Sequence, residues 1–189
     1  MGLDMYLMAN KAIDAEAVFG SAGVPAEEDL RYLPMWSHTS VASRERAEGI
    51  LTQVGMMELL TPDSPWAEIN ETGTEISVCC LYWRKDNAIH RWFVEKCQQG
   101  VDDCGTYPVH PEQLAALRST CLKAAQCYDA GDMELVYEIL PPQSGFFFGG
   151  TELDEWYRES LARTAEEIES VIAKAIQAKG VTFSYHSSW

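Results

Sequence analysis

The sequence predicts an α+β fold: a small, mostly antiparallel sheet built from N-terminal, central and C-terminal strands and covered by three to four helices. Three observations predict it. Apolar residues alternate near the start, in the middle and at the end of the chain, at Leu3, Met5 and Leu7, at Ile76, Val78, Cys80 and Tyr82, and at Val181, Phe183 and Tyr185. Between the middle and last of these runs, apolar residues recur at three- and four-residue spacing over stretches too long for strands. At 189 residues and 47% hydrophobic, the chain is long enough for one full core and short for two, which predicts a single domain over 1–189.

Gly2 to Met8 reads as a strand that begins almost at the first residue, so the N-terminus is expected to be built into the sheet, where a tag would disturb it. Residues 10–40 read mostly as loop, broken by Gly20, Gly23 and Pro25, with Pro34 to His38 apolar but aperiodic. A helix follows from about Val41 to Val54, with Ser40 or Ser43 near its cap and Gly55 at its end. Met56 to Leu60 is expected to be a short strand, Thr61 to Pro65 a turn, and Asn70 to Thr74 a second turn with Gly73 at positive φ. Residues 56–75 thus read as a hairpin excursion before the central strand.

From Glu75 to Cys97 the grammar changes from strand to helix, with Ala88, Ile89, Trp92, Phe93 and Cys97 taking up helical spacing. Gln99 to Gly105 is a loop carrying Asp102 and Asp103. Pro111 suits the first turn of a helix that runs to about Asp129, with Leu114, Leu117, Cys121, Ala124, Ala125 and Tyr128 as its stripe. Met133 to Leu140 is a short helix stopped by Pro141 and Pro142. In the stretch from Gln143 to Gly150, three consecutive Phe cannot all face one core, so at least one should contact a neighbouring element or lie near the surface. That glycine-rich stretch lacks the Lys-Ser/Thr ending of a P-loop. A long helix begins with Thr151 as its hydroxyl cap and ends at Gly180, and the last strand follows.

Charge narrows the function. A net charge of -15 repels nucleic-acid backbones and anionic lipid, which argues against direct nucleic-acid binding and against membrane association. Residues 81–100 are the exception, with Arg84, Lys85, Arg91 and Lys96 against Asp86 and Glu95, a net-basic window in an acidic protein. Six cysteines with no apolar signal segment before them predict reduced thiols and a cytoplasmic setting. No Cys-x-x-Cys is present, and adjacent Cys79 and Cys80 point to opposite faces of a strand; a site from Cys97, Cys104 and His110 is the one metal arrangement worth weighing, and the expectation is no metal and no cofactor.

The opening Met-Gly-Leu-Asp-Met-Tyr-Leu, the central Tyr-Trp-Arg-Lys-Asp-Asn-Ala-Ile-His-Arg-Trp-Phe, Gln-Ser-Gly-Phe-Phe-Phe-Gly, Glu-Trp-Tyr and the closing Ser-Ser-Trp together resemble a family of uncharacterised small proteins from phages and prophages. The resemblance covers the first ten residues and most of 76–189, and it implies that 10–75 is a variable, insertion-like region. It implies a phage or host bacterial cytoplasmic setting and brings no activity with it.

The densest candidate site is the junction from Tyr82 to Phe93. On a helix beginning near Arg84, Arg84, Asn87 and Arg91 would share one side, flanked by Lys85 and His90. The arginines would grip a phosphate or carboxylate, Asn87 would orient it, His90 would transfer protons near neutral pH, and Tyr82, Trp83 or a Phe such as Phe147 would stack on a base. Asp4 is expected to reach Arg84 across neighbouring strands, as a buried pair or as an acid/base partner. The competing reading is a cationic face paired with local acids and a His90 hydrogen-bonded inside the fold. No nucleophile motif is present. Two functions follow: an accessory protein that binds a host protein, as an acidic inhibitor of a nucleic-acid-handling defence system would, or an enzyme or sensor for an anionic, nucleotide-like small molecule.

Overall fold

The computed structural model describes residues 2–20, 32–34, 41–63 and 66–189. The protein is α+β, with an open antiparallel sheet in the order β2-β3-β4-β1-β6-β5. The strands are β1 (Asp4–Ala12), β2 (Tyr32–Pro34), β3 (Trp66–Ile69), β4 (Glu75–Arg84), β5 (Thr106–Val109) and β6 (Val181–Ser188). The N-terminal, central and C-terminal strands expected from the alternation are neighbours in the middle of the sheet. Six helices are described: α1 (Ala15–Phe19), α2 (Val41–Gln53), α3 (Asn87–Lys96), α4 (Pro111–Asp129), α5 (Met133–Ile139) and α6 (Glu155–Ala178). Of these, α2, α3, α4 and α6 have ten residues or more, and α1 and α5 have 5 and 7.

The chain divides into two compact units, one of Met1–Tyr6, Trp83–Ile172 and Ser184–Trp189, the other of Leu7–Tyr82 and Ala173–Phe183. In the second unit, β3 and β4 form an antiparallel hairpin with Ile69 opposite Ile76. Asn70 Oδ1 closes its turn by accepting from the Thr74 and Glu75 amides at 2.8 and 3.1 Å, and Gly73 takes φ 66° as its turn position requires. The core of this unit is Leu7, Leu51, Met56, Ile69, Ile76, Val78 and Cys79.

Several expectations are corrected in that unit. Strand β1 runs on to Ala12, and a short helix α1 follows, capped by Asp14 on the amides of Glu16 and Ala17. It has no buried residue and so leaves no apolar stripe to read. Met57–Leu59 is a 3-10 turn, not a strand, because Met56 and Leu59 are buried at the three-residue spacing of that helix. The expectations for residues 21–31, 35–40 and 64–65 lie outside the described residues.

In the first unit, α4 and α6 place Leu114, Leu117, Cys121, Leu161 and Ile168 in a core with Leu3, Met5, Trp83, Phe93 and Tyr185. Helix α6 starts at Glu155 and is capped by Asp154, whose carboxylate accepts from the Tyr157 amide at 2.9 Å; the expected Thr151 cap lies too early. Strand β5 was not expected. It is a four-residue edge strand containing Pro108, where a missing N–H does no harm.

Candidate functional site

The helix after β4 begins at Asn87, three residues later than the sequence suggested, because Lys85 takes a left-handed turn at φ 58° and Asp86 occupies the cap position. Arg84 therefore belongs to the strand end and does not share a helix face with Asn87 and Arg91. The polar side chains of this junction divide into two sets, one buried and one on the surface.

The buried set supports neighbouring segments. His90 has no exposed surface. Its Nε2 lies 3.1 Å from Asp102 Oδ2 and its Nδ1 lies 2.7 Å from the Tyr185 hydroxyl; in the neutral ring, a carboxylate that can only accept makes Nε2–H the donor to Asp102, so Nδ1 accepts from the Tyr185 hydroxyl. Burial pushes the His90 pKa below its ordinary value, against the opposing pull of Asp102. Burial likewise holds the Tyr185 hydroxyl far above the usual phenol range. Asp102 also accepts from Trp189 Nε1 at 3.1 Å and from Gln143 Nε2 at 3.4 Å. One carboxylate thus joins α3, the end of β6 and the segment after α5.

Asn87, also buried, holds that segment along its length. Its Nδ2 donates to the carbonyls of Phe148 and Gly150 at 3.1 and 2.7 Å, and its Oδ1 accepts from the Gln143 amide at 3.1 Å. Phe148 packs edge-on against His90 at 5.1 Å and against Trp189 at 5.9 Å. The loop from Gln143 to Gly150 has no regular secondary structure, yet its two ends are fixed to α3 by side-chain hydrogen bonds.

Asp86 is buried too. Ser160 Oγ–H donates to its Oδ2 and the Arg163 guanidinium stands 3.9 Å away, but desolvation dominates and raises its pKa to about 6. Trp83 is wholly buried and donates from Nε1 to Thr164 Oγ1 at 2.9 Å, so it is a core residue and offers no face for stacking.

The surface set gathers Asp4, Arg84, Lys85 and Phe147. The Leu3 amide donates to the Phe147 carbonyl at 3.1 Å and the Lys85 amide donates to the Leu3 carbonyl at 2.8 Å, which brings the three segments side by side. Arg84 pairs with Asp4 at 3.4 Å, but with 60% of the Arg84 side chain exposed this is a surface pair and not the buried one expected. Lys85 lies between two glycines: a Cβ on Gly2 would come 3.2 Å from Lys85 Cε, and one on Gly149 3.3 Å from Lys85 Cβ. Gly149 also has φ 91°, so both conformation and close approach require glycine there. Beside these residues Phe146 stands 95% exposed, its ring held edge-on to Phe147 at 4.9 Å.

The structure therefore brings together Asp4, Arg84, Lys85 and Phe147, whereas Asn87 and His90 are buried and bonded to other segments. Arg91 is on the exposed side of α3, paired with Glu95 at 2.7 Å, and Tyr82 belongs to the other unit. Sequence reasoning missed Asp86, Asp102, Gln143, Tyr185 and Trp189 as partners of this region, and did not single out Phe146 from its neighbours. All six cysteines are free, and among the described residues no group of three metal-ligating side chains gathers, so Cys97, Cys104 and His110 form no such group. Among the described residues no helix is long and apolar enough to cross a membrane.

Comparison with protein-family models, with curated proteins and with solved structures finds no match for this chain. The functional reading accordingly rests on the geometry, and its phage setting on the motif resemblance alone.

Proposed function

We propose that this is a phage or prophage accessory protein of the bacterial cytoplasm that acts by binding a host protein, with Phe146 as the anchor of the contact. The target class is a nucleic-acid-handling defence protein, whose basic face the acidic body of this chain would occupy. One observation carries the reading: a phenylalanine is 95% exposed on a loop whose flanking residues are tied down by Asn87 and by the Phe148 packing. Keeping a large apolar ring in water on an ordered loop contributes little to folding, whereas a pre-ordered aromatic loses little freedom on binding and belongs to a residue class enriched at interface cores.

Electrostatics support the choice of target. Arg84, Arg91, Arg118, Arg158 and Arg163 each face a carboxylate within 4.0 Å, so the surplus acids that make up the charge of -15 are left to set the outer field. Such a field speeds encounter with a basic partner. The burial of His90 removes the proton-transfer group on which an enzyme at this junction would have depended.

The test is capture from host lysate with and without added duplex DNA. The expected result is a basic nucleic-acid-binding protein that DNA displaces and that Phe146→Ser no longer retains. Capture of no DNA-displaceable protein would refute the target class, and equal capture by Phe146→Ser would refute the anchor.

A second reading, an enzyme or sensor for an anionic, nucleotide-like molecule, keeps one supporting observation. Lys85 has no carboxylate partner among the described residues and lies in the same surface set as Arg84 and Phe147. Thermal stabilisation by a nucleotide, lost in Lys85→Ala, would favour it over protein binding.

A further inference from the structure

A second surface feature adjoins the phenylalanine loop and does not include the Phe146 ring. A groove of about 520 Å³ is lined by Arg91 and Glu95 of α3, Tyr137 of α5, and Gln143, Ser144 and Thr151 on either side of the phenylalanine loop. That volume lies within the roughly 300–1,000 Å³ usual for small-ligand sites. Val94 and Pro142 contribute its apolar floor.

Three properties of the lining define what it could take. The first is charge. Arg91 donates from Nε to Glu95 Oε1 at 2.7 Å, so the groove holds one cation and one anion already in contact and is close to neutral. Within a protein of charge -15, such a groove gives a free anion little net attraction. The second is unsatisfied hydrogen-bonding capacity. The two Nη groups of Arg91 and the hydroxyls of Tyr137, Ser144 and Thr151 have no hydrogen-bond partner among the described residues. The guanidinium and carboxylate, in contact with each other, offer donors and acceptors side by side. The third is an exposed aromatic: Tyr137, which lines the groove, is 55% exposed, so its ring is available to pack against C–H groups.

We propose that this groove binds a neutral, hydroxyl-rich ring, a saccharide of one or two units. Its adjacent hydroxyls would meet the Arg91–Glu95 pair, its remaining hydroxyls Gln143, Ser144 and Thr151, and its C–H face the Tyr137 ring. The lining groups thereby replace the water they now hold, and no charge is buried without a partner.

The experiment is amide and side-chain NMR titration of the full chain with glucose, galactose, N-acetylglucosamine and maltose, with AMP and inorganic phosphate as comparators. The expected result is saturable shifts at Tyr137, Ser144 and Thr151 with at least one saccharide, and none there with phosphate. Tyr137→Ala should weaken that binding about tenfold, and Tyr137→Phe, which keeps the ring, should stay within about threefold of the wild type. Both substitutions are at an exposed position, and unchanged amide spectra elsewhere establish that the variants fold. Absence of a saturable shift at 50 mM of every saccharide would overturn the proposal. So would groove shifts with AMP or phosphate that exceed those with any sugar, or equal saccharide binding by Tyr137→Ala.

Discussion

Replacing Asp86 by Asn tests the electrostatic account of the junction quantitatively. Asn keeps an oxygen to accept from Ser160 Oγ–H and removes the charge. In the folded protein the Asp86 pKa is raised from 3.8 to about 6, so between these values the folded state holds a proton that the unfolded chain releases. Stability contributed by this proton is present at low pH and is lost as pH rises through that window. With RT of about 0.59 kcal/mol, the linkage relation gives a cost of ionised Asp86 of about 1.6 kcal/mol at pH 5 and about 3 kcal/mol at pH 8. The stability of Asp86→Asn relative to wild type should therefore increase by about 1.4 kcal/mol from pH 5 to pH 8. Urea unfolding followed by tryptophan fluorescence at pH 5, 6, 7 and 8 measures this, and the series stays above the isoelectric point near 4.5. A difference that is flat with pH, or that shrinks as pH rises, would show that Asp86 is not a desolvated carboxyl and would refute the argument.

The other predictions use different parts of the same framework. Because burial lowers the His90 pKa, the folded state binds fewer protons there than the unfolded chain, whose value is about 6.5. In the Asp86→Asn background, stability from this site should be full above that value and should fall as pH drops below it, an effect absent from Asp86→Asn/His90→Phe in the same urea series. Tyr185→Phe leaves His90 Nδ1 buried without its donor and should cost about 1–3 kcal/mol in urea unfolding. Gly149→Ala should cost about 1–2 kcal/mol, since φ 91° is hostile to a side chain and Lys85 Cβ stands 3.3 Å from the new methyl group. Phe146→Ser should change stability by no more than about 0.5 kcal/mol, because the ring contributes almost nothing to the core.

How far the sequence could be read follows from the range of each interaction. The α+β class and the three middle strands were legible because period-two alternation at Leu3, Met5 and Leu7 and at Ile76, Val78 and Cys80 directly reports one buried sheet face. Helix α4 was legible from Pro111 to Asp129 for the same kind of reason, a long stripe with Pro at its start. Local grammar gave less for α1 and for Met57–Leu59, which are a turn or two long and carry too few buried positions to establish a period. Strand β5 was hidden because an edge position tolerates Pro108.

The candidate site was legible as a place and not as an arrangement. Composition marked Tyr82 to Phe93 and Gln143 to Gly150 as unusual, and the structure joins the two stretches through Asn87 and His90. What sequence could not convey is which side chains turn inward. Lys85 at positive φ shifts the start of α3 by three residues, and that shift buries Asn87 and His90 while Arg84 stays at the strand end. The partner that neutral His90 requires, Asp102, is separated from it by a loop, and Tyr185 and Trp189 come from the far end of the chain. Such contacts depend on closure of the fold and leave no periodic trace.

The most direct test of the central claim is amide hydrogen exchange on this protein with and without its captured host partner. Slowed exchange from Gln143 to Gly150, lost when Phe146 is replaced by Ser, is the predicted footprint. A partner that protects other surfaces and leaves that loop exchanging at its free rate would contradict the account, and the exposed ring of Phe146 would need another explanation.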